Sequence, residues 1–120
     1  MTVYGMNHVA LEVTDVELAV RFYTEVLGLE RHSRGGEGQA FFKVGAHQFL
    51  ALFKVEERSP DQERHFGIIV KDDAEIAAVR EKVKAWGLEL IPPFACDFRD
   101  PFGNRIQVVD LSVVDEWWQK

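Results

Sequence analysis

An internal repeat restricts the fold of this 120-residue chain more than any other feature. His8, Val13 and Asp15 recur as His65, Val70 and Asp72, each 57 positions on (65 − 8, 70 − 13, 72 − 15). Each half carries a helical stretch that ends in a Gly-Leu pair, Gly28-Leu29 and Gly87-Leu88. Each half then closes with two strand-like segments turned around a glycine, Gly45 or Gly103. Self-similarity on this scale means one supersecondary unit used twice.

The unit can be read from local periodicity. In His8–Val13, Val9, Leu11 and Val13 point one way and His8, Ala10 and Glu12 the other, which predicts a half-buried strand. Thr14 or Asp15 can cap the helix that follows, and Thr14 with Glu17 makes a capping-box pattern. Leu18, Ala19, Phe22, Val26 and Leu27 give that helix an apolar stripe, and Gly28 ends it. Strands are expected at 29–32, 39–44 and 48–55, with a flexible turn at Gly35, Gly36 and Gly38. The second half repeats this. A strand at 65–70 leads to a helix started by Asp72 and Asp73, with Ile76, Val79, Val83 and Trp86 as its stripe. Strands follow at 88–91, 95–99 and 105–111, with a turn at 100–104. Residues 56–63 are polar, contain Pro60, and read as a linker.

The expected fold is therefore α+β, with two tandem βαβββ modules (about 1–56 and 64–112) in one domain, 1–120. The tail, 113–120, could form a short helix that lays Trp117 or Trp118 on an apolar surface. Each sheet carries one helix, which leaves its other face uncovered. Two modules set edge to edge, with their sheets curving, would form a mixed sheet around a cleft suited to a small molecule.

Composition narrows the partners. Hydrophobic residues make up 47% and charged residues 28%, as in an ordinary globular chain. A formal net charge of −6 argues against nucleic acid or an anionic membrane as the main partner. The only dense basic stretch, 31–34, reads as an exposed turn. The single cysteine, Cys96, permits no intrachain disulfide and has no activating neighbour in sequence. No signal-peptide pattern and no apolar run near the length of a membrane span are present, so a cytoplasmic protein is expected.

His8 and His65 hold the same place in the two repeats and, by alternation, both leave the helix-packed face. Each is followed two positions later by a small residue, Ala10 or Gly67. Repeat-related imidazoles aimed at one cleft suggest a metal pair. A third ligand from the last strand would be Gln107, because Ile106 and Val108 face the core. Its counterpart Ala51 offers no donor. Phe49 and Phe53 share a face with Ala51 and can form either an apolar wall for a ligand or plain packing. Arg99 can meet a substrate carboxylate or pair with Asp97 or Asp100. Glu12 shares a face with His8, and Tyr23 on the first helix reads as structural.

His8-Val9-Ala10-Leu11 with Asp15, followed by Phe22-Tyr23 and Leu27-Gly28, resembles the opening of a vicinal oxygen chelate domain. Asp100-Pro101-Phe102-Gly103-Asn104-Arg105-Ile106-Gln107 is similar to its closing motif. That superfamily includes glyoxalase I, extradiol dioxygenases, fosfomycin-inactivating transferases and bleomycin-sequestering proteins. The resemblance implies a divalent metal ion (Zn, Ni, Mn or Fe) on His8, His65 and Gln107, within one chain or across a dimer. Gln107 stands where the motif carries a glutamate, and Ala51 where glyoxalase I has a fourth ligand. The second departure argues against glyoxalase I proper, which needs a carboxylate base near the metal. Two functions follow from the resemblance. One is a metal-dependent enzyme acting on a small oxygen-chelating substrate. The other is a metal-free protein that sequesters a small molecule. A purely structural or regulatory dimer is a third reading.

Members of the superfamily are commonly dimers, and two small modules leave strand edges to cover. Neighbouring tryptophans on a helix point about 100° apart, so one of Trp117 and Trp118 can pack at home and the other on a second chain. A homodimer is expected, and light scattering at micromolar concentration checks it. A monomer contradicts the dimer, and an unchanged dimer after truncation beyond Val114 contradicts only the role of the tail.

Overall fold

The computed structural model describes residues 6–59, 61 and 63–118, except for the side chains of Trp117 and Trp118. The expectation for those two rings lies outside the described residues. The chain divides into two compact units, Met1–Arg58 and Ser59–Lys120.

The first unit runs β1 (His8–Val13), α1 (Val16–Leu27), β2 (Gln39–Val44) and β3 (Gln48–Lys54). The second runs β4 (Phe66–Val70), α2 (Asp73–Ala85), β5 (Asp97–Arg99), β6 (Arg105–Asp110) and α3 (Leu111–Trp118). Each unit has a three-stranded mixed sheet in which the last strand is central. β3 runs parallel to β1 and antiparallel to β2. β6 runs parallel to β4 and antiparallel to β5. The two repeats thus share one topology, and the α+β expectation holds.

The strands expected at 29–32 and 88–91 do not form. Each is reduced to a single bridge, Arg31 to Phe42 and Leu90 to Phe98. At the first bridge the Arg31 side chain leaves the strand partner for other groups. Its guanidinium lies 3.1 Å from Glu17 of α1 and 3.4 Å from the carbonyl of Gln39. β5 is also shorter than expected, and His65 lies just before β4 rather than within it.

Helix α1 starts where the sequence allowed two caps, and Asp15 is the one used. Its extended backbone lets Oδ1 accept the N–H of Leu18 at 3.0 Å. The Thr14–Glu17 capping box does not form at this start, because Glu17 faces Arg31. Gly28 stops the helix at φ 67°, which a glycine adopts without strain; its N–H reaches the Thr24 carbonyl and the Leu29 N–H that of Tyr23. Asp72 caps α2 in the same way, accepting from Glu75 N at 3.1 Å.

Each helix covers one sheet face. α1 lies against β2 and β3, and buries Ala19, Phe22, Tyr23 and Val26. Opposite them stand Leu11, Val13, Ala40, Phe42, Leu50 and Leu52, all buried. Tyr23 is fully buried and ring-packed on Phe22 and Phe42, which is the structural role its helix position suggested. α2 buries Ile76, Val79 and Val83, and lies against β6, where Ile106 and Val108 are buried. Trp86, expected in that stripe, is half-buried at the helix end. α3 begins directly after β6 because Asp110 caps it, accepting from Ser112 Oγ at 2.5 Å and Val113 N at 3.2 Å. No helix among the described residues is long and apolar enough to cross a membrane.

The cap assignment predicts unequal losses. Asp15→Ala should lower stability by about 1 kcal/mol, whereas Thr14→Ala should cost less than about 0.5 kcal/mol. Urea unfolding of both variants measures the difference, and equal losses would return the cap to Thr14.

Candidate functional site: the open face of the first unit

Strand register decides which side chains avoid α1. His8, Ala10 and Glu12 of β1 stand opposite Phe49, Ala51 and Phe53 of β3. On the other side of β3, Lys43, Phe41 and Gln39 of β2 pair with the same three residues. Ala51 is therefore a methyl-sized floor between larger neighbours, and it is 1% exposed. Phe41 stands edge-on to Phe49 at 5.7 Å and to Phe53 at 6.2 Å. Phe49 also stacks on the His8 imidazole, with ring centres 4.6 Å apart and planes 13° from parallel. Above this floor lies a cavity of about 580 Å³, within the range of small-molecule sites. All its lining residues belong to the first unit. The apolar side chains are Phe41, Phe49, Ala51 and Phe53; the rim adds His8, His32, Arg34, Lys43, His47 and Gln48.

The expected substrate residues divide between the units. Phe49 and Phe53 line the cavity. Arg99 belongs to the second unit, where its guanidinium donates to the Gly103 carbonyl at 3.0 Å. Of its two expected partners, Asp97 and Asp100, the first is taken by Arg105, which holds both carboxylate oxygens, at 3.0 and 2.7 Å. Register explains the exchange. Arg99 and Arg105 stand directly opposite each other, a repulsive like-charge pair. Arg105 turns diagonally to the buried Asp97, and Arg99 turns back to the loop.

The expected metal donors also divide, with His8 in the first unit and His65 and Gln107 in the second. His8 is exposed, and its Nδ1 lies 2.7 Å from Asn7 Oδ1. His65 is exposed, and its Nδ1 lies 2.8 Å from the Glu63 carbonyl. A carbonyl only accepts, so Nδ1 of His65 carries a proton, and in the neutral imidazole Nε2 then keeps its lone pair. The Asn7 oxygen has the same effect on His8. Metal-bound histidines characteristically use the second ring nitrogen in this way. Gln107 is half-buried on β6, opposite Gly67 of β4 and Asp97 of β5. The turn that feeds β6 is anchored by buried Asp100. Its carboxylate accepts the N–H groups of Phe102 and Asn104, each at 2.9 Å, and the Asn104 side-chain amide. No group of three or more His, Cys, Asp or Glu side chains among the described residues could hold an ion. Imidazole nitrogen and amide oxygen are each donor types that divalent ions accept, and neither brings charge.

Cys96 is excluded as a nucleophile at neutral pH. It is 1% exposed, and burial pushes its thiol up to about 11.

The rim carries little signal in the sequence. The stretch 31–34 is exposed as expected, yet His32 and Arg34 line the cavity. Loop residues carry no periodic signal. Lys43 was legible, since it alternates with buried Phe42 and must share the face of Phe41.

The chain is similar to solved structures along most of its length. One is a lactoylglutathione lyase from Agrobacterium tumefaciens, at 25% identity and TM-score 0.65, covering 94% of this chain and 98% of that one. Another is a possible glyoxalase from Bacillus cereus, at 25% identity and TM-score 0.73, covering 88% and 98%. A third is a mutant of the fosfomycin resistance protein FosX from Listeria monocytogenes complexed with Mn(II) and 1S,2S-dihydroxypropylphosphonic acid. It is 19% identical with TM-score 0.75, covers 89% and 90%, and shows likeness of fold alone. The model of the glyoxalase/bleomycin resistance protein/dioxygenase superfamily matches residues 5–108. With that span and the repeated sheet topology, the chain belongs to the glyoxalase/bleomycin resistance protein/dioxygenase superfamily.

Proposed function

We propose that this chain is a metal-dependent enzyme of its superfamily, acting on a small substrate with two neighbouring oxygens, and that His8, His65 and Gln107 are its metal donors. One paired observation carries the reading. The repeat-related histidines, in separate local surroundings, both commit Nδ1 to an oxygen and leave Nε2 free. A divalent ion at these donors would supply Lewis-acid stabilisation of negative charge developing on a substrate oxygen. The chain's own residues do the rest. Asn7 and Glu63 fix the imidazole tautomers, and Phe41, Phe49 and Phe53 keep water from an apolar substrate body in the cavity. The relative complexed with Mn(II) supports a divalent ion in this fold. The further assignment is to a cytoplasmic homodimer.

A second reading is metal-free sequestration of a small molecule in the first unit's cavity. Gln107 and Ala51 favour it, because neither brings charge to a metal.

Elemental analysis of the purified protein and calorimetric titration with Zn, Ni, Mn and Fe separate the two. Gln107→Glu places a carboxylate beside the ion. Unit charges 4 Å apart attract by about 1 kcal/mol even in water, and a divalent ion doubles this. The variant should therefore bind metal at least tenfold more tightly, whereas His65→Ala should bind more weakly. Equal or weaker binding by Gln107→Glu removes Gln107 from the donor set. Absence of binding in every form leaves the sequestering reading.

A further inference from the structure

We propose that the cavity of the first unit selects an anionic ligand with an apolar ring-like body, and that Arg34 and Lys43 hold its negative group. The inference rests on the reading of this cavity as a ligand site, but not on the metal.

Charge is distributed unevenly over this molecule. The whole chain is acidic, with 20 Asp and Glu against 14 Lys and Arg. The cavity inverts that balance, because its lining contains Arg34 and Lys43 and neither an aspartate nor a glutamate. Five cations elsewhere pair with carboxylates: Arg21 with Glu25, Arg31 with Glu17, Arg64 with Asp61, Lys84 with Glu81, and Arg105 with Asp97. Among the described residues no carboxylate partners Arg34 or Lys43. Two unpaired cations at the mouth of an apolar hollow attract an anion, because the low-dielectric wall weakens screening.

The surroundings place both cations at one mouth. Lys43 stands opposite Phe49 in register, so its stem rises from the aromatic floor. Arg34 lies in the 31–38 loop, which His32 ties back to the sheet through its N–H to the Phe41 carbonyl at 2.7 Å. The Arg34 N–H donates to His32 Nδ1 at 3.0 Å, which puts the neutral imidazole's proton on Nε2 as a further donor. Below the rim, the floor of Phe41, Phe49 and Phe53 around Ala51 suits a flat apolar body and offers it no polar group. The ligand class is therefore an aromatic or otherwise apolar carboxylate, sulfonate, phosphonate or phosphate.

Calorimetry with three probes of one shape tests this: 1-naphthoate, neutral 1-naphthamide and cationic 1-naphthylmethylamine, all in EDTA at low salt. 1-Naphthoate should bind at least tenfold more tightly than 1-naphthamide, with the amine weakest. Arg34→Gln with Lys43→Gln should abolish the tenfold preference and leave 1-naphthamide binding unchanged. Lys82→Gln, a cation on α2, should leave all three affinities as they are, and circular dichroism checks that each variant folds. Equal affinities for the three probes, or a preference that survives the double variant, would overturn the charge assignment and leave the apolar cavity standing. Failure of all three probes to bind would overturn this proposal together with the cavity as a ligand site. The metal reading is decided separately by the titration with divalent ions.

Discussion

Side chains on a strand alternate between faces, and in the first unit α1 packs against one face of the sheet. In the first unit, this puts Val13, Leu50 and Leu52 under α1 and commits His8, Ala51, Phe49 and Phe53 to the opposite side. A slip of one residue between β1 and β3 would send the phenylalanines under the helix and the leucines into the cavity. The buried side resists that slip, because fully buried Phe22, Tyr23 and Phe42 interlock with it. Exchanging such packing for a polar or smaller set costs several kcal/mol. The open face is thus specified by the core behind it. Its own residues are free to serve a ligand.

The second unit uses the same plan with different surroundings. Its open face carries Gln107 beside the Asp97–Arg105 ion pair, where the first unit has the aromatic floor. Asp97 is fully buried, and Arg105 satisfies it with two hydrogen bonds, which removes the cost of an unpaired buried charge. The Asp100 turn then fixes the entry of β6, and so the position of Gln107 along the strand. The first repeat presents an aromatic hollow, while the second sets the Asp97–Arg105 ion pair and Gln107 beside Val109 and the exposed Ile69.

Much of this was legible in the sequence because it is local. The helices, their starts at Thr14 or Asp15 and at Asp72 or Asp73, the Gly28 stop and the repeat of His8 in His65 follow from periodicity and turn chemistry. What was not legible depends on groups far apart in sequence. The segments at 29–32 and 88–91 have strand composition, yet each makes a single bridge, and in one Arg31 is engaged by a glutamate on the helix before it. The choice between Arg99 and Arg105 as the partner of Asp97 depends on register across β5 and β6, which composition does not reveal. Arg34 and His32 reach the cavity by the path of a glycine-rich loop, and no periodicity reports such a path.

The central claim is that the helix-free face of the first unit is a ligand site, built over Ala51. Nuclear magnetic resonance titration of the 15N-labelled chain with 1-naphthoate tests this most directly. The account predicts saturable shifts centred on the amides of Phe41, Lys43, Phe49, Ala51 and Phe53, with α1 little affected. Shifts centred on α1 or on the second unit, or no saturable shift at all, would contradict it.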